Sequence, residues 1–255
     1  MKEVNRGDIR FVDNNGVLIR YRVYGKGEPL ILLHGWPSEG IFWDAFGYVT
    51  PLSRDYQLIV PDLRGYGRSA EPADGDYSDR AYASDIRACM DDMSVKSAHV
   101  FDYWMSGYEL AAGSPERVRS LIILGNHPYP LVRKNLDKWG SGEANRRFWE
   151  LDNNAPLPEE ARQRLAEWTP EKIRAVWPPK DDRSERLKAW KGPGLLIAGT
   201  DDDHMEGIKK FIASNSDWKL VMIESERMTH GQVWIRSDLV LPIVQAFLWG
   251  VVHKR

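Results

Sequence analysis

The sequence predicts an α/β domain: a mostly parallel, twisted sheet with helices on both faces, interrupted by a helical insertion. Three observations lead there. Short continuous apolar runs at 29–33, 57–61, 121–125, 194–199 and 219–223 have the length and composition of strands buried on both faces. Between them lie stretches with helical spacing, such as Tyr82, Ile86, Met90 and Met93 within 77–93. Residues 131–192 break this rhythm, being charged and carrying Pro156, Pro158, Pro170, Pro178 and Pro179.

Bulk properties narrow the function classes. A chain of 255 residues fits one large α/β domain with a modest insertion and can bury a substantial core. Its 35 basic and 37 acidic residues are interleaved and give a net charge of −2, so there is no electrostatic footprint for nucleic acid. A small-molecule substrate is the expected partner, and no residue pattern points to a cofactor. The single cysteine, Cys89, excludes an intrachain disulfide and suits a reducing cytoplasm. No apolar run approaches the roughly 18 residues of a membrane span, and Met1-Lys2-Glu3-Val4-Asn5 has no signal-peptide core. The expectation is therefore a cytoplasmic protein without a membrane partner; oligomeric state is left open.

Taken in order, 8–13 and 17–24 alternate apolar with polar around Asn14-Asn15-Gly16, which predicts an antiparallel hairpin. The strand at 29–33 ends in His34-Gly35-Trp36-Pro37, Phe42 to Leu52 is helical, and the strand at 57–61 runs into Asp62-Leu63-Arg64-Gly65-Tyr66-Gly67-Arg68-Ser69. Arg64 and Asp62 are expected to pin that loop by charge-assisted hydrogen bonds. A strand, turn and helix are laid out over 98–118, and the strand at 121–125 leads to Asn126-His127-Pro128. Further on, Pro158 to Trp168 is a helical patch, Thr200-Asp201-Asp202-Asp203-His204 follows the strand at 194–199, and helices are expected at 205–214 and 238–252. Five of the eleven tryptophans fall between 139 and 190.

Several of these motifs resemble those of the α/β-hydrolase family: His-Gly-x-Pro at 34–37, Asp-x-x-Gly-x-Gly-x-Ser at 62–69, Pro-Glu-Arg-Val at 115–118, an acid after the strand at 194–199, and a histidine in Thr229-His230-Gly231-Gln232. The resemblance runs through nearly the whole chain. It implies the α/β-hydrolase fold, with a core at 1–127 and 193–255 and a helical cap at 128–192. It also implies that Asp202 is the acid, with Asp203 as fallback, and that His230 is the base. Trp36 and Met105 would then supply backbone N–H groups to an oxyanion hole.

The family's nucleophile elbow, Gly-x-Ser-x-Gly or Gly-x-Asp-x-Gly, is altered at every diagnostic position. Aligned on the lead-in Ser-Val-Lys-Ser-Ala-His-Val-Phe (94–101), its first glycine becomes Asp102, its nucleophile Trp104 and its second glycine Ser106. Indole cannot attack a carbonyl. Three readings remain: Ser106 as a displaced nucleophile, Asp102 as nucleophile, or no side-chain nucleophile, the last being the one expected here.

Candidate substrate contacts are His34, His127, Trp149 and Trp177. His34 reads first as a brace for its turn, His127 as a turn histidine bonded to backbone, and most insertion tryptophans as packing. No metal is expected, because adjacent side chains of the Asp-Asp-Asp-His run converge on one ion only in a special loop. An enzyme acting on a small carbonyl or ester-like substrate in an aromatic pocket is the first reading. The alternatives are a non-hydrolytic lyase, cyclase or cofactor-free oxygenase, and a silent ligand-binding protein.

Overall fold

A computed structural model describes residues 7–104, 106–131, 141–176 and 181–253. The hairpin signal is realised as β1 (Asp8–Asn14) and β2 (Val17–Tyr24), paired antiparallel with Asn14 opposite Val17. Asn15 and Gly16 both take positive φ, 54° and 85°, the backbone of a two-residue turn whose twist matches its strands. The other strands are β3 (Glu28–Leu33), β4 (Tyr56–Pro61), β5 (Ala98–Asp102), β6 (Val118–Leu124), β7 (Gly194–Gly199) and β8 (Trp218–Ile223). They form one sheet in the order β1-β2-β4-β3-β5-β6-β7-β8, parallel from β4 onward.

The apolar runs are continuous because each strand feeds two cores. In β3, Ile31 and Leu33 enter one cluster while Leu30 and Leu32 enter the other, and Leu121/Ile123 and Ile122/Leu124 divide likewise in β6. On the first face lie α3 (Asp79–Asp92), capped by Ser78 accepting from the Ala81 N–H, α4 (Ser106–Gly113), and later α9 (Met205–Ala213). The opposite face carries α1 (Ile41–Ala45), α2 (Val49–Leu52) and the closing helix α11 (Ser237–Val252). The single helix expected from Phe42 to Leu52 is thus two. Gly47, at φ 86°, takes a left-handed conformation that ends the first.

Between β6 and β7 the chain forms α5 (Gly142–Arg147), a π-helical turn at Phe148–Asp152, α6 (Glu159–Ala166), α7 (Pro170–Val176) and α8 (Ser184–Leu187). Three sets of buried or half-buried polar contacts fasten this insertion to the body. Arg164 on α6 makes a bidentate pair with Glu39 at 2.8 and 2.6 Å. Arg186 on α8 pairs in the same way with Glu109 on α4 at 2.8 and 2.6 Å, and the fully buried Arg183 bonds Asp79. The Trp149 indole N–H donates to the Pro37 carbonyl at 2.5 Å. Paired and hydrogen-bonded in this way, the charges can be buried without the large penalty of an unpartnered ion. Among the described residues no helix is long and apolar enough to cross a membrane.

The loop after β4 bears out the expected pinning and refines its partners. Asp62 receives Arg20, the Gly40 N–H and the Arg68 N–H, whereas Arg64 pairs with Asp85 on α3 through two guanidinium bonds of 2.9 and 2.8 Å.

Candidate active site

Strands β5, β6 and β7 end side by side, so the loops leaving their carboxyl ends converge, the usual location of a ligand site in an open α/β sheet. Three segments meet there: the turn 102–107, the turn 200–204, and the start of α10 (His230–Ile235). Helix α10 begins at His230 because Thr229 is its N-cap, its Oγ1 accepting from the Gln232 N–H at 3.4 Å.

His230 Nδ1 lies 3.3 Å from Asp202 Oδ2, which draws the ring N–H onto that nitrogen. Its Nε2 is buried and has no hydrogen-bond partner among the described residues. Burial alone would lower the imidazole's affinity for a proton, but the Asp202 carboxylate outweighs it and holds the His230 pKa above its ordinary value. Burial likewise pushes Asp202 up, and His230 and His204 together bring it below the usual carboxylate range. Tyr103 fixes the ring from one side, stacking on it at 5.0 Å and 27° while its other neighbour, Trp234, stacks at 4.1 Å and 21°. Gly125 fixes it from the other. At φ 60° an added Cβ there would sit 2.5 Å from Asp202 Oδ2 and 2.7 Å from His230 Nδ1, so only glycine lets the strand end pass so close to the pair.

At the elbow, Asp102 is fully buried and turned inward. One of its oxygens accepts the Trp104 N–H and the other the Gly107 N–H, each at 2.6 Å, so the carboxylate caps the start of α4 from beneath. Burial pushes its pKa up to about 7 despite those two bonds. With both oxygens bonded and no exposure, Asp102 is not placed to attack a substrate. Ser106 is the first residue of α4 and is buried, and no hydroxyl lies within hydrogen-bonding distance of His230 Nε2 among the described residues. Trp104, the residue that the sequence alignment set against the family's nucleophile, is half-buried against the first core. The Trp36 loop packs directly on it: a Cβ at Gly35 would lie 3.0 Å from the Tyr103 ring and 3.3 Å from Trp104 Cβ.

The other sequence candidates divide. His34 is buried and both ring nitrogens are engaged, Nδ1 with the Gly35 carbonyl at 2.9 Å and Nε2 with the Leu63 N–H at 3.0 Å. It therefore braces the loop and offers nothing to a ligand. Trp149 is corrected too: its ring is wholly enclosed by Phe42, Phe46, Phe148, Tyr103 and Trp234, and its N–H is spent on Pro37. His127 is buried beside the site, 5.7 Å from the His204 ring, and burial together with His204 lowers its pKa to about 4. Met105 and Trp177 lie outside the described residues. Sequence reasoning gave no site role to Gly125 or Tyr103, and it weighed His204 only as part of a metal run that it set aside; the His204 ring sits 4.6 Å from that of His230 and its Nδ1 bonds the Gly125 carbonyl at 3.0 Å. A glycine closing an apolar run was the one available signal, since a strand end at the ligand edge that tolerates no side chain implies a neighbour.

Comparison with known proteins agrees with this architecture. A family profile described as the alpha/beta hydrolase fold matches residues 28–165. A fluoroacetate dehalogenase from Burkholderia is 33% identical over 161 residues, covering 59% of this chain and 51% of that protein. A cis-3-alkyl-4-alkyloxetan-2-one decarboxylase from Shewanella oneidensis is 35% identical over 127 residues, 48% of this chain and 39% of that protein. The matched stretch thus spans about half or less of these relatives. Among solved structures, an esterase from a Rhodococcus species superposes with a TM-score of 0.79 at 23% identity, covering 95% of this chain and 99% of that one. A profile that spans more than half of the residues is sufficient: the chain belongs to the α/β-hydrolase fold family.

Proposed function

We infer that the protein is an enzyme that acts on a small carbonyl or ester-like substrate by base catalysis, with no covalent intermediate on a side chain. The observation that carries this reading is the state of His230: one nitrogen oriented by Asp202, the other buried with an unused lone pair and no hydroxyl before it. An imidazole oriented in this way can take a proton from a water or from the substrate itself, a contribution of typically 10²–10⁴-fold. In this reading the backbone N–H of Trp36 helps stabilise the developing oxyanion; the second donor expected from the sequence, Met105, lies outside the described residues. The insertion 128–192 acts as a cap over the site, supported by its tethers at Glu39, Glu109 and Pro37. A Gln232 to Asn153 hydrogen bond of 2.8 Å also joins it to the helix that carries His230.

A non-hydrolytic reaction is the second reading. A base without a nucleophile suits proton abstraction or decarboxylation as well as hydrolysis, and one relative matched over 48% of this chain is named a decarboxylase. Product analysis on a panel of esters and lactones separates the two by whether water is incorporated. The absence of a covalent step is tested by incubation with a fluorophosphonate followed by intact mass measurement. No adduct is expected. A stoichiometric adduct that disappears in Ser106→Ala would overturn the reading.

A further inference from the structure

The turn after β7 and the start of α10 bring together four side chains whose joint chemistry the base reading does not use. Asp202, Asp203, His204 and His230 each offer one ligand atom, and these atoms all lie within 4.8 Å of one another. Three come from consecutive residues. They converge because the turn folds back on itself, the Asp202 N–H donating to the Gly199 carbonyl and the His204 N–H to Asp202 Oδ1 at 2.9 Å, while His230 arrives from a separate element.

Two imidazoles and two carboxylates form the mixed nitrogen and oxygen donor set that zinc and its neighbours in the first transition row accept. The surroundings already orient the donors. His204 Nδ1 faces the Gly125 carbonyl, so its N–H sits there and Nε2 keeps its lone pair, 3.9 Å from Asp203 Oδ1. Contacts of this outer kind fix tautomer and ring direction in metal sites. Asp203 is 83% exposed at its side chain, which gives an entry path from solvent, and His230 Nε2, the atom that the base reading leaves for substrate, is buried with no partner among the described residues. Tetrahedral zinc at about 2.0–2.2 Å from each ligand requires donors about 3.4 Å apart. The widest separations must therefore contract by up to about 1.4 Å, and the exposed Asp203 side chain is free to move inward.

We propose that Asp202, Asp203, His204 and His230 form a binding site for a divalent first-row transition-metal cation, zinc fitting best, and that loading it switches off His230 as a base. The second half rests on the function proposed above. It holds whichever nitrogen of His230 binds. A neutral imidazole has one N–H and one lone pair, so a cation on Nε2 occupies the lone pair directly, and a cation on Nδ1 moves the proton to Nε2. In either state no basic nitrogen remains for substrate.

The test uses the full chain stripped with a chelator, titrated with cobalt(II) followed by visible absorption and with zinc followed by calorimetry. One cation per chain is expected, with the visible bands of four-coordinate cobalt, and with affinity weakened at least about tenfold in Asp203→Asn and in His204→Gln. Asp203→Asn changes only an exposed side chain, so its loss of binding is not a loss of fold. No saturable binding, or equal binding in both variants, overturns the site. Zinc-loaded protein should fall to the activity of His230→Ala and recover on chelation. Zinc bound at full turnover keeps the site and overturns the switch, and with it the reading of His230 as the base.

Discussion

Two buried aspartates stand at the carboxyl edge of the sheet, Asp102 as the last residue of β5 and Asp202 in the turn after β7, and burial and partners shift them in opposite directions. Burial raises both. For Asp102 it wins, taking the group to about 7, because its partners are two neutral backbone N–H groups and the nearest cation that counts is Arg183. Asp202 instead faces two imidazoles, His230 and His204, and is held below the ordinary carboxylate range. The same residue type thus becomes a structural cap in one turn and an orienting anion in the other. What separates them is whether the polar atom opposite is already spent: at the elbow every described partner is backbone, while at the second turn the partner is a ring with a nitrogen left over.

The contrast breaks most easily at His230. His230→Ala should lower turnover by about 10²–10⁴-fold, measured as initial rates on whichever ester or lactone the wild type accepts. An unchanged rate would place the chemistry elsewhere. Next in size is Asp102→Ala, which leaves two amides without their acceptor and should cost about 2–6 kcal/mol of stability at roughly 1–3 kcal/mol per unsatisfied group. Denaturant unfolding reads this directly, and a loss below about 1 kcal/mol would mean that the cap carries little.

Asp102 also sharpens the comparison through pH. Its folded pKa of about 7 lies above the ordinary carboxylate value near 3.8, so the folded chain holds a proton that the unfolded chain has released. The carboxyl's contribution is therefore full below about pH 4 and is lost as pH rises toward about 7. Between those limits wild-type stability should fall relative to Asp102→Asn, which has no such titration. The difference between the two curves isolates this group from Glu39, likewise pushed up to about 7 by its burial.

Gly125→Ala should cost about 1–2 kcal/mol for its left-handed backbone and the crowding of Asp202 and His230, with a fall in turnover larger than the loss of stability explains. The smallest effect is expected at Ser106. Ser106→Ala should leave turnover within about twofold, well under 1 kcal/mol, and a loss like that of His230→Ala would mean that the elbow works after all.

Much of the architecture was legible because strands buried on both faces announce themselves as unbroken apolar runs, and Asn15-Gly16 could turn a hairpin in few other ways. The sequence also marked the turn after β5 as unusual for the family it resembles, through Asp102, Trp104 and Ser106. Less visible was what fills the gap. That Asp102 points inward depends on two amides brought beneath it by the fold, and that His204 meets His230 depends on a turn between β7 and α9 and a helix start 26 residues further on. Trp149 was misjudged because sequence shows a large aromatic side chain without showing that its single donor is already committed to Pro37.

The inward carboxylate at Asp102 has a consequence for anyone who would rebuild a nucleophile here. Replacing Trp104 by serine restores the attacking group in name only. The new side chain would stand on a turn with a buried carboxyl underneath it, and above about pH 7, where that group is ionised, an oxyanion forming above would be repelled rather than received. Glycine at 102 would remove the charge but also the acceptor for the Trp104 and Gly107 amides, so that helix α4 would need a new start. Neither single change leads toward a serine hydrolase, and the path back requires at least two substitutions made together.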